Sequence, residues 1–216
     1  MQLSELEITK QLKKRGPVHW QEVVNKHGWA LVGWGNEAVV VGHPEKPYVL
    51  RIFSKDTPYV DWVNLVKSHQ ENPHFPKFSR YVRPIPGTEM NYVRMEILKS
   101  ITQNQLMKDY LPELAYLYIQ TTLLGYQFEL DFALTVGVYL RELSRGSIFD
   151  KQIQNELWEK IGKPDSSWKQ AIDLLLTLHQ KSKKWPSELD MHYGNFMLRG
   201  NILVISDPLK LPSHHA

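Results

Sequence analysis

The spacing of apolar residues changes character once along this chain, near Lys99, and that change constrains the fold more than any other feature. Before it, apolar and β-branched residues come in short runs at 29–34, 37–41 and 48–53. Such runs suit strands, whose side chains alternate between two faces. After it, residues 106–124, 128–143, 151–161 and 166–180 carry apolar side chains three and four apart. That spacing puts them on one side of a helix. An antiparallel β-rich part followed by a helical part is an α+β plan. It predicts two lobes, 1–98 and 99–216.

Turn chemistry divides the first part further. Gly33-Trp34-Gly35-Asn36 separates the first two runs, and Gly42-His43-Pro44-Glu45-Lys46-Pro47 separates the next two. Three strands with short connections read as a meander. Thr57-Pro58 looks like a helix start, with threonine as N-cap and proline in the first turn. Val60, Val63, Leu65 and Val66 supply its apolar stripe, and Asn72-Pro73 is expected to stop it. Strands are expected over 81–84 and 91–98. Near the end, 196–198 and 202–205 read as a hairpin turning on Gly200-Asn201. Residues 2–14 suit a short amphipathic lead-in helix, and 19–27 a second one.

Composition mostly excludes. The 216 residues contain no cysteine, which rules out a disulfide framework, a thiolate metal site and a cysteine nucleophile. A formal charge of +3 gives no reason to expect a nucleic-acid partner. No apolar stretch is long enough for a membrane span or a signal peptide, so a cytoplasmic protein without a membrane partner is expected.

The chemistry concentrates in Asp190-Met191-His192-Tyr193-Gly194-Asn195, the hairpin after it, and Ser206-Asp207-Pro208. Two carboxylates and an amide flank one hairpin and can converge on one point. Phosphoryl transfer needs a carboxylate to orient and deprotonate the attacking hydroxyl, and oxygen ligands to hold Mg2+ on the phosphates. Asp and Asn also cap turns, but three such residues around one hairpin are read as a catalytic set.

Earlier segments supply partners for that set. Gly33-Trp34-Gly35-Asn36-Glu37-Ala38-Val39-Val40 follows the pattern G-x-G-x-x-G-x-V with Ala38 at the third glycine, and small residues let backbone N–H groups approach phosphate oxygens. The alternative is a plain hairpin turn. In the strand 48–53, Val49, Arg51 and Phe53 share one face. A charge among apolar residues needs a ligand or a partner. Asp61 on the next helix is the best-placed acid for Arg51, and an edge-strand arginine in water is the other reading. Backbone groups around Glu96 to Leu98 could bind an adenine edge, or could belong to an ordinary core strand.

The segment from Asp190 to Met197, with Ile205-Ser206-Asp207-Pro208, resembles the catalytic segment of the early Ser/Thr protein kinase of short-tailed coliphages. There an Asp-Met-His-x-Gly-Asn run precedes a hairpin and a Thr-Asp-Pro. The broader pattern D-x-H-x-G-N is also similar to aminoglycoside and choline phosphotransferases of the same fold. The resemblance implies a bilobal protein-kinase-like fold using ATP and Mg2+. It implies Asp190 as base, Asn195 and Asp207 as metal ligands, and Arg51 as phosphate contact. Gly33, Gly35, Ala38, Asp61, Glu96 and Leu98 would complete the nucleotide site. It further implies host proteins as substrates and partners, in a host cytoplasm, early in infection.

Three departures accompany it. Arginine stands at 51 where kinases carry lysine, and the two cations differ in reach and donor geometry. Pro208-Leu209 follows Asp207 in place of Phe-Gly. The carboxy-terminal end is expected to be truncated, with the helical stretch 99–189 rebuilding a substrate platform. Two other functions stay open on these residues, a small-molecule phosphotransferase and a pseudokinase that inhibits a partner by binding it.

Overall fold

A computed structural model describes residues 25, 28–34, 38–55, 57–79, 81–124, 130–144, 147–181 and 188–210. The lead-in helix expected over 2–14 lies outside these residues, as does all of 19–27 except Asn25, which is helical. The chain forms two compact units. One takes the described residues up to Ser68 with Pro76–Ile97. The other takes His69–Phe75 and the described residues from Leu98 onward.

The first unit is an antiparallel five-stranded sheet with one helix. Strands β1 (Ala30–Trp34), β2 (Ala38–Gly42), β3 (Tyr48–Ser54), β4 (Arg83–Pro84) and β5 (Met90–Glu96) run in the order β1-β2-β3-β5-β4. The meander expected from the turn residues is present. On one face Val39, Val41, Leu50, Ile52 and Tyr92 form a core with Trp29 and Ile85. The other face carries Val49, Arg51 and Phe53, as their period of two requires. Helix α1 (Tyr59–Ser68) meets that face through Tyr59, whose ring lies edge-on to Phe53 at 4.9 Å.

Helix α1 starts as expected and departs from expectation elsewhere. The Thr57 hydroxyl accepts from the Tyr59 N–H at 3.4 Å, and the Trp62 N–H bonds back to the Pro58 carbonyl. The buried stripe is Tyr59, Trp62, Val63 and Val66, with Val60 and Leu65 only partly covered. The two aromatic residues bury more area than valine and leucine, and so set the rotation of the helix. It ends at Ser68, before Asn72-Pro73. Its last turn closes through the Ser68 hydroxyl, which donates to the Leu65 carbonyl at 2.8 Å. The strand expected over 81–84 keeps only Arg83–Pro84, which pair with Tyr92 and Asn91 of β5.

The second unit is helical with small sheets. It contains β6 (Lys99–Ser100), α2 (Gln103–Asp109), α3 (Leu111–Leu123), α4 (Leu130–Ser144), α5 (Lys151–Ile161) and α6 (Ser166–Lys181). Then come β7 (Glu188–Leu189), a short turn of 3-10 helix (Tyr193–Asn195), β8 (Phe196–Arg199), β9 (Ile202–Ile205) and β10 (Leu209–Lys210). Sheets β6-β8-β9 and β10-β7 are antiparallel. Helical character does not begin at Lys99, since Lys99 and Ser100 first pair with Leu198 and Met197.

The single helix expected over 106–124 is two. Tyr110, with φ −130° and ψ 29°, ends α2 and begins α3. Pro112 is the physical reason. Its ring and missing N–H suit only the first turn of a helix, so the chain restarts there. The core of this unit gathers on Trp168 of α6, which is fully buried. Its indole N–H donates to the Glu113 carbonyl at 2.9 Å, and its ring meets His74 and Phe196. Among the described residues no helix is long and apolar enough to cross a membrane.

Candidate functional site

Hydrogen bonds within the second unit draw Asp190, Asn195 and the segment around Asp207 together. Strand β7 delivers Asp190, and β8 leaves directly from Asn195. The Asn195 amide nitrogen donates to the Asp190 main-chain carbonyl at 2.7 Å and to its Oδ2 at 2.9 Å. The Asn195 carbonyl accepts from the Ser206 N–H at 2.8 Å and from its hydroxyl at 2.9 Å. Asp207 follows immediately. The ring then closes, because the Asp190 N–H donates to the Pro208 carbonyl at 2.7 Å.

The sequence explains each part of this closure. Between Asp190 and Asn195 the chain turns on Tyr193–Asn195, started by His192, whose Nδ1 accepts from the Gly194 N–H at 3.1 Å. A Cβ at Gly194 would sit only 3.1 Å from that same Nδ1, so a glycine suits the turn. The hairpin β8–β9 turns at Gly200, whose φ of +60° favours glycine. Leu189, Met191, Phe196, Ile205 and Leu209 are all buried around the loop. They form an apolar base beside Asp190, Asn195 and Asp207, which stay partly exposed.

A second anchor holds the hairpin from behind. His74 is buried, and its Nδ1 lies 2.7 Å from the Leu203 carbonyl, while the Ile205 N–H donates to the His74 carbonyl. Its Nε2 faces the Asp165 carboxylate at 3.3 Å and the Ser167 hydroxyl at 3.1 Å. Arg199 donates to the carbonyls of Pro73 and Phe75 at 2.9 and 2.8 Å. Burial alone would raise the Asp165 carboxyl. Bonds from the Ser167 hydroxyl and the Trp168 N–H, with His74 beside it, outweigh that and lower it.

The remaining expected residues, apart from Leu98, belong to the first unit. Gly33 lies inside β1 opposite Val40, after an irregularity between Leu31 and Gly33, so it is a strand residue and not part of the turn. Gly35 lies outside the described residues. Ala38 begins β2, opposite Phe53. Arg51 pairs across the sheet with Val40 and Val93, and its guanidinium sits 4.1 Å over the Tyr59 ring. That aromatic contact was not expected. Tyr59 opens the helix that carries Asp61 in its first turn. Glu96 ends β5, with its N–H donating to the Lys77 carbonyl and its Oε1 accepting from the Lys77 N–H. One backbone donor expected for an adenine edge is therefore engaged. Leu98 lies in the second unit, between β5 and β6.

The sequence marks Ser206 and Pro208 as part of the motif but not the bonds they make to Asn195 and Asp190, and it gives Lys210 no part at all. Lys210 stands opposite Glu188 across β7–β10, with its Nζ 4.0 Å from Asp190 Oδ1 and 3.9 Å from Glu188 Oε2. The available signal was the alternation Glu188, Asp190 set against a lysine three residues after Asp207.

The oxygen chemistry of this set suits a hard cation. Both hydrogen-bonded contacts of the Asn195 amide nitrogen are to acceptors, which fixes its orientation and turns Oδ1 away from Asp190. With the Asp207 carboxylate that makes two candidate oxygen donors, a set Mg2+ accepts when phosphates and water complete its shell. Among the described residues no group of three or more His, Asp or Glu could hold a metal ion.

No protein-family profile matches the chain, and no curated protein matches it in sequence. A solved structure described as a streptomycin–ATP–APH(2")-IIa ternary complex is similar at 17% identity, over 95% of this chain and 72% of that one, with a TM-score of 0.31. A likeness that loose identifies neither a relative nor an activity for this chain, whose α+β class is carried by its own strands and helices.

Proposed function

We propose that this chain is a kinase-like phosphotransferase that moves the γ-phosphoryl group of ATP to a hydroxyl acceptor. The observation that carries the reading is the closed set of hydrogen bonds joining Asp190, Asn195, Ser206 and Pro208 around the hairpin. In this reading Asp190 orients the acceptor hydroxyl and takes its proton. Asn195 holds the Asp190 carboxylate in one rotamer through Oδ2. Asn195 Oδ1 and Asp207 would hold Mg2+, which when bound neutralises charge on the phosphates. Within the first unit, Gly33, Ala38, Arg51 and Asp61 are the residues to test for a part in nucleotide binding, on the strength of the glycine-loop pattern and the strand charge. Glu96 and Leu98 would be the residues to test for the adenine edge.

A serine or threonine side chain of a protein is the first acceptor to test, on the strength of the phage-type catalytic segment. One observation favours a small hydroxylated acceptor. The chain leaving Asp207 is tied back at once onto β7 through β10, which leaves Leu209 and Lys210 no freedom to form an open peptide-binding segment.

Radiolabelled ATP with Mg2+ and either a bacterial lysate or a panel of aminoglycosides and amino alcohols separates these acceptors. Label in protein supports the first, and label in a small molecule the second. Turnover that survives Asp190→Asn contradicts both. A pseudokinase would show nucleotide binding with neither product.

A further inference from the structure

We infer that Lys210 is a catalytic residue of this site, binding the transferring phosphoryl group beside Asp190. The inference rests on the phosphotransferase reading and adds a residue to it. The geometry comes from strand pairing. Leu209 lies opposite Leu189 and Lys210 opposite Glu188, and the Asp190 N–H extends the ladder to the Pro208 carbonyl. Side chains alternate along such a pair. Leu189 and Leu209 are buried on one face, so Glu188, Asp190 and Lys210 share the other.

The two oxygens of Asp190 are thereby distinguished. Oδ2 is held by the Asn195 amide at 2.9 Å. Oδ1 faces the Lys210 ammonium at 4.0 Å, and Oδ1 is the atom left to receive the acceptor's proton. Separations of 3.9 and 4.0 Å exceed hydrogen-bond range, so the ammonium stands between two carboxylates without being locked to either. A cation on a flexible stem can then turn onto an anion that arrives there. The anion in question carries several negative charges, and it must approach the carboxylates of Glu188, Asp190 and Asp207. A cation placed beside the proton-accepting oxygen offsets that repulsion where charge is redistributed.

The step balances without a further reactant. The acceptor oxygen forms a bond to the γ-phosphorus as its proton passes to Asp190 Oδ1. The bond from that phosphorus to the β–γ bridging oxygen breaks, and ADP leaves with the electron pair. Lys210 donates hydrogen bonds to a non-bridging oxygen of the moving group and keeps its protons.

The test compares binding of ADP and of the non-hydrolysable triphosphate AMP-PNP, both with Mg2+, by calorimetry. Lys210→Met is expected to weaken AMP-PNP about tenfold while ADP is unchanged, since only the triphosphate carries the group Lys210 holds. Lys210→Arg is expected to restore most of the difference. A merely structural lysine would weaken both nucleotides together. Glu188→Gln removes a competing carboxylate, and should strengthen AMP-PNP relative to ADP. This second variant decides the matter if Lys210→Met does not fold. An unchanged AMP-PNP to ADP ratio in the folded variants overturns the role of Lys210 and leaves the phosphotransferase reading standing. Wild-type protein that binds neither nucleotide overturns both.

Discussion

Asn195 reaches both ends of Asp190 through one nitrogen, bonding to the main-chain carbonyl at 2.7 Å and to side-chain Oδ2 at 2.9 Å. The two residues are five apart, and the turn between them makes this reach possible. A carboxylate so held keeps one rotamer and presents its second oxygen in a set direction. Asn195→Ala should cost about 1–3 kcal/mol in urea unfolding, because it leaves a partly buried carboxylate and carbonyl short of a donor. It should also abolish phosphoryl transfer. Full activity in a folded Asn195→Ala protein would remove Asn195 from the mechanism.

Gly33 separates folding from ligand approach. A Cβ there would meet nothing within 4 Å. Gly33→Ala should therefore leave the urea midpoint unchanged, or raise stability by up to about 1 kcal/mol through reduced freedom of the unfolded chain. If phosphates approach the β1 backbone there, the same substitution weakens binding of Mg-ATP. A variant with wild-type stability and wild-type affinity would show that nothing approaches Gly33.

The bonds that Asp165 accepts from the Ser167 hydroxyl and the Trp168 N–H, with His74 beside it, predict a pH dependence in the second unit. The Asp165 carboxyl is lowered from its ordinary 3.8. A lowered folded value means that the unfolded chain binds the proton more readily. The stabilisation is thus fully present above about 3.8 and is lost as pH falls through the folded value. Asp165→Asn, which keeps a helix-capping oxygen for the Trp168 N–H, should destabilise the protein at pH 7. Its deficit should shrink as pH drops below the ordinary value. The side chain is 58% exposed, so the effect should be small and sensitive to salt. A deficit that stays constant across that range would contradict the assignment.

What could be read from the residues follows from where the physical signal is strong. The meander β1–β3, the capped start at Thr57 and the hairpin turning at Gly200 each carry several agreeing local cues. Arg51 was legible as a charge that needed a partner, but the Tyr59 ring beneath it was not, because spacing along a helix says nothing about which ring meets a neighbouring strand. Strands β7 and β10 are two residues each and lie 20 positions apart. No periodicity can announce so short a pair. It is nonetheless the pair that brings Lys210 to Asp190 and ties Pro208 to the Asp190 N–H. His74 was overlooked for a similar reason, since a histidine in an Asn-Pro-His turn gives no sign that it is buried against α6 and β9.

The most direct test of the phosphotransferase account is the thermal shift of the protein with ATP, with and without Mg2+, in wild type and Asp207→Asn. At a hundredfold excess over the dissociation constant, Mg-ATP should stabilise the wild type by about 2.7 kcal/mol. The variant should lose the part of the shift that depends on Mg2+. A wild-type protein whose melting temperature does not respond to Mg-ATP at millimolar concentration would contradict the account.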